Sequence, residues 1–357
     1  MRKSDRKRVA VIAGDGVGPE VIAAAVGVLE ATGARIGFAF HDAGDSCKAQ
    51  QGAALPKATL RAARVSDAVL FGAVGDTAAE VILRLRKELG TFANVRPVRA
   101  FEGVKCLHKS ADVLIIRENT ECLYIGRERR VGDRAEATRS ITGRASDRIA
   151  RFAFERARAE GRKRVTAVHK ANVLKVTDGL FLERVRAVAR EYPDIGYEEA
   201  LVDSTAMNLV MRPERYDVIL TTNLFGDILS DLAAGLVGGL GLCPSANIGP
   251  RNGIFEPVHG TAPDIAGKGI ANPTAAILSG AMMLDHLGMT GSARQVDAAV
   301  RQAIKTGMTT PDLGGPLTTA EMADAIIANL GSSTSRSVPS PLPRPRARST
   351  PSISRRT

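Results

Sequence analysis

At 357 residues, 44% hydrophobic and 24% charged, the chain has a soluble globular composition and room for two domains of about 150 residues. Its formal charge of +11 suggests nucleic acid or an anionic membrane. However, residues 1–8 carry five Lys/Arg and one Asp, residues 331–357 carry six Arg and no acid, and 9–330 is near neutral with 38 basic and 37 acidic residues, which disfavours both partners. Four scattered cysteines without a C-x-x-C pair fit a reducing cytosol, the apolar stretch 232–243 is too short to span a membrane, and MRKSDRKR lacks a signal peptide's apolar core, so a soluble cytoplasmic protein is expected.

Val9–Ala13 reads as a buried strand running into GDGVGPE, 14–20, and then a helix over 21–31. The glycines alternate, and Pro19 occupies the slot where the dinucleotide fingerprint needs its third glycine, so this is not a Rossmann loop; a proline there suits the first turn of a helix. Strands at Ile36–Phe40 and Ala68–Gly72 alternate with helices near 57–64 and 79–89, which means α/β. A strand over Asp112–Ile116 ends in RENTECLYIG, bringing Arg117 and Tyr124 to the end of a strand, where α/β proteins place ligands. The charged stretch 127–145 reads as an exposed arm or a subunit contact. A helix at 146–160 leads to the strand Arg164–Val168 and then to Lys170, and a lysine directly after a buried strand needs a task. The strand 197–202 ends at Asp203. The segment 255–273, FEPVHGTAPDIAGKGIANP, is too long for an idle loop, and helices near 273–287, 291–306 and 318–330 follow. Residues 331–357, with eight Ser, five Pro and six Arg, are expected to be a disordered tail.

TTNLFGDILSD, 221–231, follows the apolar run Tyr216–Leu220 and places Asp227 and Asp231 four apart, on one helix face. Two like charges among Leu224, Phe225, Ile228, Leu229 and Leu232 are costly unless a cation lies between them. Oxygen-only ligation suits Mg²⁺ or Mn²⁺. Arg86, Arg96 and Arg117 would bind a polycarboxylate through guanidinium forks, and Lys170 and Tyr124 are proton-transfer candidates.

GDGVGPE, ANVRP, RENTECLY, HKANVL, TTNLFGDILSDLAAGLVGGLG and HGTAPDIAGKGIANPTAAILS, in this order over about 9–330, resemble the β-decarboxylating dehydrogenases of isocitrate, homoisocitrate and 3-isopropylmalate. The resemblance implies a two-domain, isopropylmalate-dehydrogenase-like α/β fold with a central, mostly parallel sheet. Residues 1–98 and 236–330 would form a discontinuous cofactor-binding domain, and 99–235 the substrate, metal and dimerisation domain. It also implies that Arg86, Arg96 and Arg117 grip malate carboxylates. Asp227 and Asp231, with Asp203 from a second copy, would hold Mg²⁺ or Mn²⁺. Lys170, also from the second copy, would relay the hydroxyl proton, and Tyr124 would protonate the enol carbon. His259, Gly260, Thr261, Ala262, Pro263, Asp264, Ile265 and Asn272 would embrace the cofactor. Asp264 stands where NADP enzymes of the family tend to carry a basic residue, which implies NAD. The assembly implied is a homodimer or larger with shared sites.

The substrate branch is divided. RENTE resembles the isocitrate and homoisocitrate branch, which is the leading expectation. Ile82 and Leu83 resemble the apolar pair that receives an isopropyl group, making 3-isopropylmalate the alternative. Cys122 stands where glycine is more usual. A catalytically silent regulatory subunit is the reading from another class.

Overall fold

The computed structural model describes residues 6–331; most of the 331–357 tail lies outside the described residues. The strands are β1 (Lys7–Gly14), β2 (Ile36–Phe40), β3 (Ala68–Ala73), β4 (Ala93–Arg99), β5 (Asp112–Glu118), β6 (Glu128–Val131), β7 (Arg134–Ala137), β8 (Arg164–His169), β9 (Gly196–Leu201), β10 (Val218–Thr221), β11 (Pro244–Ile248) and β12 (Gly253–Pro257). Ten of them form one sheet in the order β2-β1-β3-β12-β11-β4-β5-β10-β8-β9. Strands β4 and β11 run against their neighbours, and the other pairings are parallel. The expected mostly parallel α/β sheet is therefore present. Runs such as AVLFGA, buried along all of β3, are what a strand covered on both faces requires.

Helices cover both faces: α1 (Gly18–Ala31), α2 (Asp45–Gln51), α3 (Lys57–Val65), α4 (Arg84–Leu89), α5 (Gly143–Ala159), α6 (Thr177–Ala189), α7 (Val202–Met211), α8 (Asn223–Val237), α9 (Thr274–His286), α10 (Thr290–Lys305) and α11 (Thr319–Asn329). A π-helical turn over Ala79–Leu83 runs directly into α4, so the helix expected at 79–89 is one segment with a shifted phase. Pro19 sits in the first turn of α1. One core packs α1, α5, α6, α9 and α10 against one face of the sheet. On the other face α3 and α4 cover one half and α8 the other.

The structure corrects one boundary of the sequence reading and adds elements to it. Residues 255–257 belong to β12, so the long loop begins at 258. The charged stretch after 127 contains the exposed hairpin β6–β7. Helices α6 and α7 and strands β4 and β11 occupy segments to which the sequence reading assigns no element. Among the described residues no helix is long and apolar enough to cross a membrane.

Candidate active site

Strand alternation aims the site. On β5, Val113 and Ile115 face α8 while Leu114 and Ile116 face the opposite core, so Arg117 projects toward α8. On β4, Val98 shares that face, and Arg96 lies two residues before it. Arg117 is 1% exposed. Its Nε and Nη2 donate to Asn223 Oδ1 at 2.9 and 2.7 Å, and Nη1 donates to Asp227 Oδ1. Arg96 Nη1 donates to Ser230 Oγ at 2.6 Å and to Asp231 Oδ1 at 3.0 Å, with Nη2 3.5 Å from Asp227 Oδ1. The Tyr124 hydroxyl donates to Asp227 Oδ2, and the Arg117 guanidinium lies 4.9 Å from the centre of its ring. The cation demanded by the aspartate pair is thus supplied within this chain by two guanidiniums.

Electrostatics separate the two carboxylates. Burial pushes Asp227 up, but Arg117, the Tyr124 hydroxyl and Arg96 outweigh it and hold the carboxyl below the usual range. Burial raises Asp231, and the charge on Asp227 adds to this against the opposing pull of Arg96. Burial and the hydrogen bond to Asp227 raise the Tyr124 phenol, which keeps it a proton donor. Arg117 is lowered to about 10 by its burial and by the neighbouring Arg96, and the charge on Asp227 opposes this; it remains a cation at neutral pH.

Arg86, on α4, reaches the same region from the other half of the sheet. Its Nη2 lies 2.6 Å from Glu256 Oε1, and Glu256 also accepts from Asn247 Nδ2 at 2.7 Å. The Nε atoms of Arg86 and Arg96 are buried without a partner, as expected of groups that await an anionic ligand. Ile82 is buried in the apolar core of its half, whereas Leu83 is only partly buried and stands one helical turn before Arg86.

Lys170 and Asp203 lie apart from this cluster. Lys170 Nζ is 2.8 Å from Asp203 Oδ1, and that ammonium holds the Asp203 carboxyl below its usual range. Among the described residues no third acidic, His or Cys side chain completes a metal-holding group, so one chain does not bring Asp203 to Asp227 and Asp231. The two helix carboxylates are hard oxygen donors that fit a divalent cation, but they need a further ligand from elsewhere.

The 258–273 loop meets the β1 loop where Val17 N donates to Thr261 O at 2.9 Å. Gly260, Pro263 and Asp264 are exposed, Thr261 and Ile265 partly buried, and Ala262 holds a left-handed φ of 40°. His259 Nε2 is buried and unpartnered, and burial lowers the ring below the usual histidine range, keeping it neutral. These features fit a dinucleotide lying on the loop. The Asn272 amide is committed to Asp312 Oδ2 at 3.0 Å, and its Oδ1 accepts from Thr274 N at the start of α9. Cys122 is buried at φ 70°, a conformation L side chains resist, which explains why glycine suits that position.

Sequence reasoning missed Asn223, Ser230 and Glu256. Asn223 reads locally as a helix-start residue, and the Glu256–Arg86 contact joins residues 170 apart.

A sequence model of the isocitrate/isopropylmalate dehydrogenase family matches residues 8–326. The chain is 59% identical to the 3-isopropylmalate dehydrogenase of Archaeoglobus fulgidus, over 91% of this chain and 99% of that protein. It is 50% identical to the isocitrate/homoisocitrate dehydrogenase of Thermus thermophilus, with the same coverage. The crystal structure of isocitrate dehydrogenase from Methylococcus capsulatus superposes with a TM-score of 0.88 at 47% identity, covering 91% of this chain and 99% of that one. The chain belongs to the isocitrate/isopropylmalate dehydrogenase family of decarboxylating dehydrogenases.

Proposed function

We propose that this chain oxidises and decarboxylates a 3-alkylmalate, 3-isopropylmalate foremost, with NAD⁺ and Mg²⁺ or Mn²⁺. The observation that carries the reading is the convergence of Arg96, Arg117 and Tyr124 on Asp227, with Arg86 alongside. The greater identity to the 3-isopropylmalate dehydrogenase, together with the apolar, partly buried Leu83 beside Arg86, reverses the order drawn from RENTE. Isocitrate and homoisocitrate become the secondary substrates.

Arg86, Arg96 and Arg117 would take the malate carboxylates, which would replace Asp227 and Asp231 as partners of Arg96 and Arg117 and fill the orphaned Nε positions of Arg86 and Arg96. Asp227 and Asp231, released from those pairs, would hold the divalent ion with Asp203 of a second copy. When bound, NAD⁺ accepts hydride from C2 and the dication withdraws electron density from the C2 oxygen. Lys170 Nζ of the second copy would receive the hydroxyl proton. Tyr124, kept protonated, would deliver a proton to C3 after CO₂ departs. The exposed Asp264 would accept from a ribose diol and repel a 2′-phosphate.

Support for a homodimer comes from exposed apolar side chains beside these residues. Met207, Met211 and Ile228 on α7 and α8, and Val173 and Val176 just after Lys170, lie open to solvent, as surfaces awaiting a second copy do. Residues 1–98 with 236–330, and 99–235, would form two lobes built on the continuous sheet.

The test is NADH formation by purified protein with 3-isopropylmalate, isocitrate and homoisocitrate, with Mg²⁺ or after chelation. A kcat/KM preference of about tenfold or more for 3-isopropylmalate, lost on chelation, is expected. A preference for isocitrate overturns the substrate, full turnover after chelation overturns the metal, and no turnover at all favours a silent subunit.

A further inference from the structure

Two aspartates outside the cluster link the cofactor-side loop to the helix that bears Leu83 and Arg86. Asp15 lies in the loop after β1 and is 8% exposed; its N–H donates to Ala73 O at 2.7 Å. Its carboxylate accepts from Asp45 N at 2.7 Å and Ser46 N at 3.0 Å, capping α2. Asp45, the first residue of α2, repeats the device. Its carboxylate accepts from Asp76 N at 3.0 Å and Thr77 N at 2.9 Å, the free N–H groups that open the turn before residues 79–89. Thr77 O then accepts from Glu80 N and Val81 N at 2.9 and 3.0 Å. Lys48 of α2 pairs with Glu80 at 2.6 Å.

The backbone has been cleared for both carboxylates. A Cβ at Gly44 would lie 2.2 Å from Asp15 Oδ2, and one at Gly75 would lie 2.2 Å from Asp45 Oδ2. Hydrogen bonding from Thr77 holds the Asp45 carboxyl below its usual range, so an anion faces the helix N-terminus, the charge that position favours. An ordinary cap stabilises its own helix from one residue away. Here each cap crosses about 30 residues of sequence, and the residue that is capped makes the next cap.

We propose that Asp15 and Asp45 are positioning residues forming a two-step relay, by which the glycine loop on the cofactor side sets the placement of Leu83 and Arg86 on the substrate side. The functional half of this proposal rests on the reading of Leu83 and Arg86 given above. Because Val17 of the same loop is bonded to Thr261, a shift of the cofactor loops reaches the substrate helix through two carboxylates and no side chain of the active site.

The test uses full-length Asp15→Ala, Asp45→Ala and the milder Asp45→Asn, with Asp76→Ala as control, since the exposed side chain of Asp76 caps nothing in the relay. Hydrogen exchange of the amides at 76–83 is read first, without any ligand. It should accelerate at least about tenfold in both alanine variants and by less in Asp45→Asn, and stay unchanged in the control. Acceleration in Asp45→Ala but not in Asp15→Ala means two independent caps and overturns the relay. If an alanine variant does not fold, Asp45→Asn decides: unchanged exchange at 76 and 77 overturns the proposal. Kinetics follow, with KM for 3-isopropylmalate expected to rise at least about fivefold while kcat stays within about twofold. A fall in kcat at unchanged KM overturns the positioning role. Lack of turnover by the unmodified protein would refute the substrate reading while the exchange result still judges the relay.

Discussion

The Lys170 ammonium rests 2.8 Å from Asp203 Oδ1, and this pair makes no bond to Asp227 or Asp231 of the same chain. A lysine tied to one aspartate, with two further aspartates elsewhere, matches the proposed site in which each copy supplies half. Mixing two inactive variants, Lys170→Ala and Asp227→Ala, should therefore restore activity. Each mixed dimer regains one intact site, so random exchange of subunits returns about a quarter of the unmodified activity. Steady-state rates after co-refolding measure this. Absence of recovery, with mixed dimers verified by mass, would place all the chemistry within one chain.

Arg117 is held by three hydrogen bonds fanned over Asn223 and Asp227, a geometry only a guanidinium fork can match. Arg117→Lys keeps the charge but replaces the planar fork with a compact ammonium that cannot reproduce the spread of contacts to Asn223 and Asp227, leaving part of that buried network unpaired. The expected cost is about 3 kcal/mol in denaturant stability and at least a hundredfold in kcat/KM, roughly 2.7 kcal/mol of transition-state binding. A variant with near-normal kcat/KM would show that Arg117 merely braces α8.

The legibility of the fold tracks where polarity falls. β1, β3 and β5 announce themselves as apolar runs because both faces are covered. β11, at the centre of the sheet, does not, because Ser245 and Asn247 are buried polar residues. Asn94 Nδ2 donates to Ser245 Oγ at 2.9 Å and to Asn247 Oδ1 at 3.0 Å, and Asn119 Nδ2 donates to the same Asn247 oxygen at 3.0 Å. These paired amide groups offset much of the penalty for burying polarity, while their presence erases the hydropathy signal of a buried strand. α7 was hidden for the opposite reason: Met207, Val210 and Met211 are exposed and blur its apolar face. In the site, the i, i+4 aspartates were visible because helical spacing aligns them, and Arg117 because it follows the apolar run of β5. Glu256 was not, since nothing local to it points to Arg86.

Away from the site, Asp112 at the start of β5 is bound by Arg162 at 2.5 Å and Arg99 at 3.2 Å. Burial pushes its carboxyl up, but the two guanidiniums prevail and hold it below the usual range. A depressed carboxylate stabilises the fold above the unfolded-state pKa, and that contribution disappears as pH falls through the lower folded-state value. Because the side chain is half exposed, Asp112→Asn should cost only about 1 kcal/mol at neutral pH. The difference from the unmodified protein should close below about pH 4. Urea titrations at several pH values test this, and a gap that persists in acid would assign the loss to packing.

Leu83 and Arg86 are three residues apart on one helix, so their side chains are neighbours. Arg86 would hold a carboxylate of the malate unit, and Leu83 then faces whatever hangs from C3. An isopropyl group gains from an apolar neighbour, whereas a substituent ending in a carboxylate gains from a cation. Leu83→Arg should lower kcat/KM for 3-isopropylmalate by about 10- to 100-fold, the loss expected when an apolar contact is removed and a charge is desolvated. It should also raise kcat/KM for homoisocitrate. The measurement is the ratio of the two kcat/KM values, which cancels any general loss of active protein. Glu80, nearer solvent and already paired with Lys48, should leave that ratio unmoved when changed to Gln. If Leu83→Arg also leaves the ratio unmoved, the C3 substituent lies elsewhere and the identity of the substrate must be sought on another element.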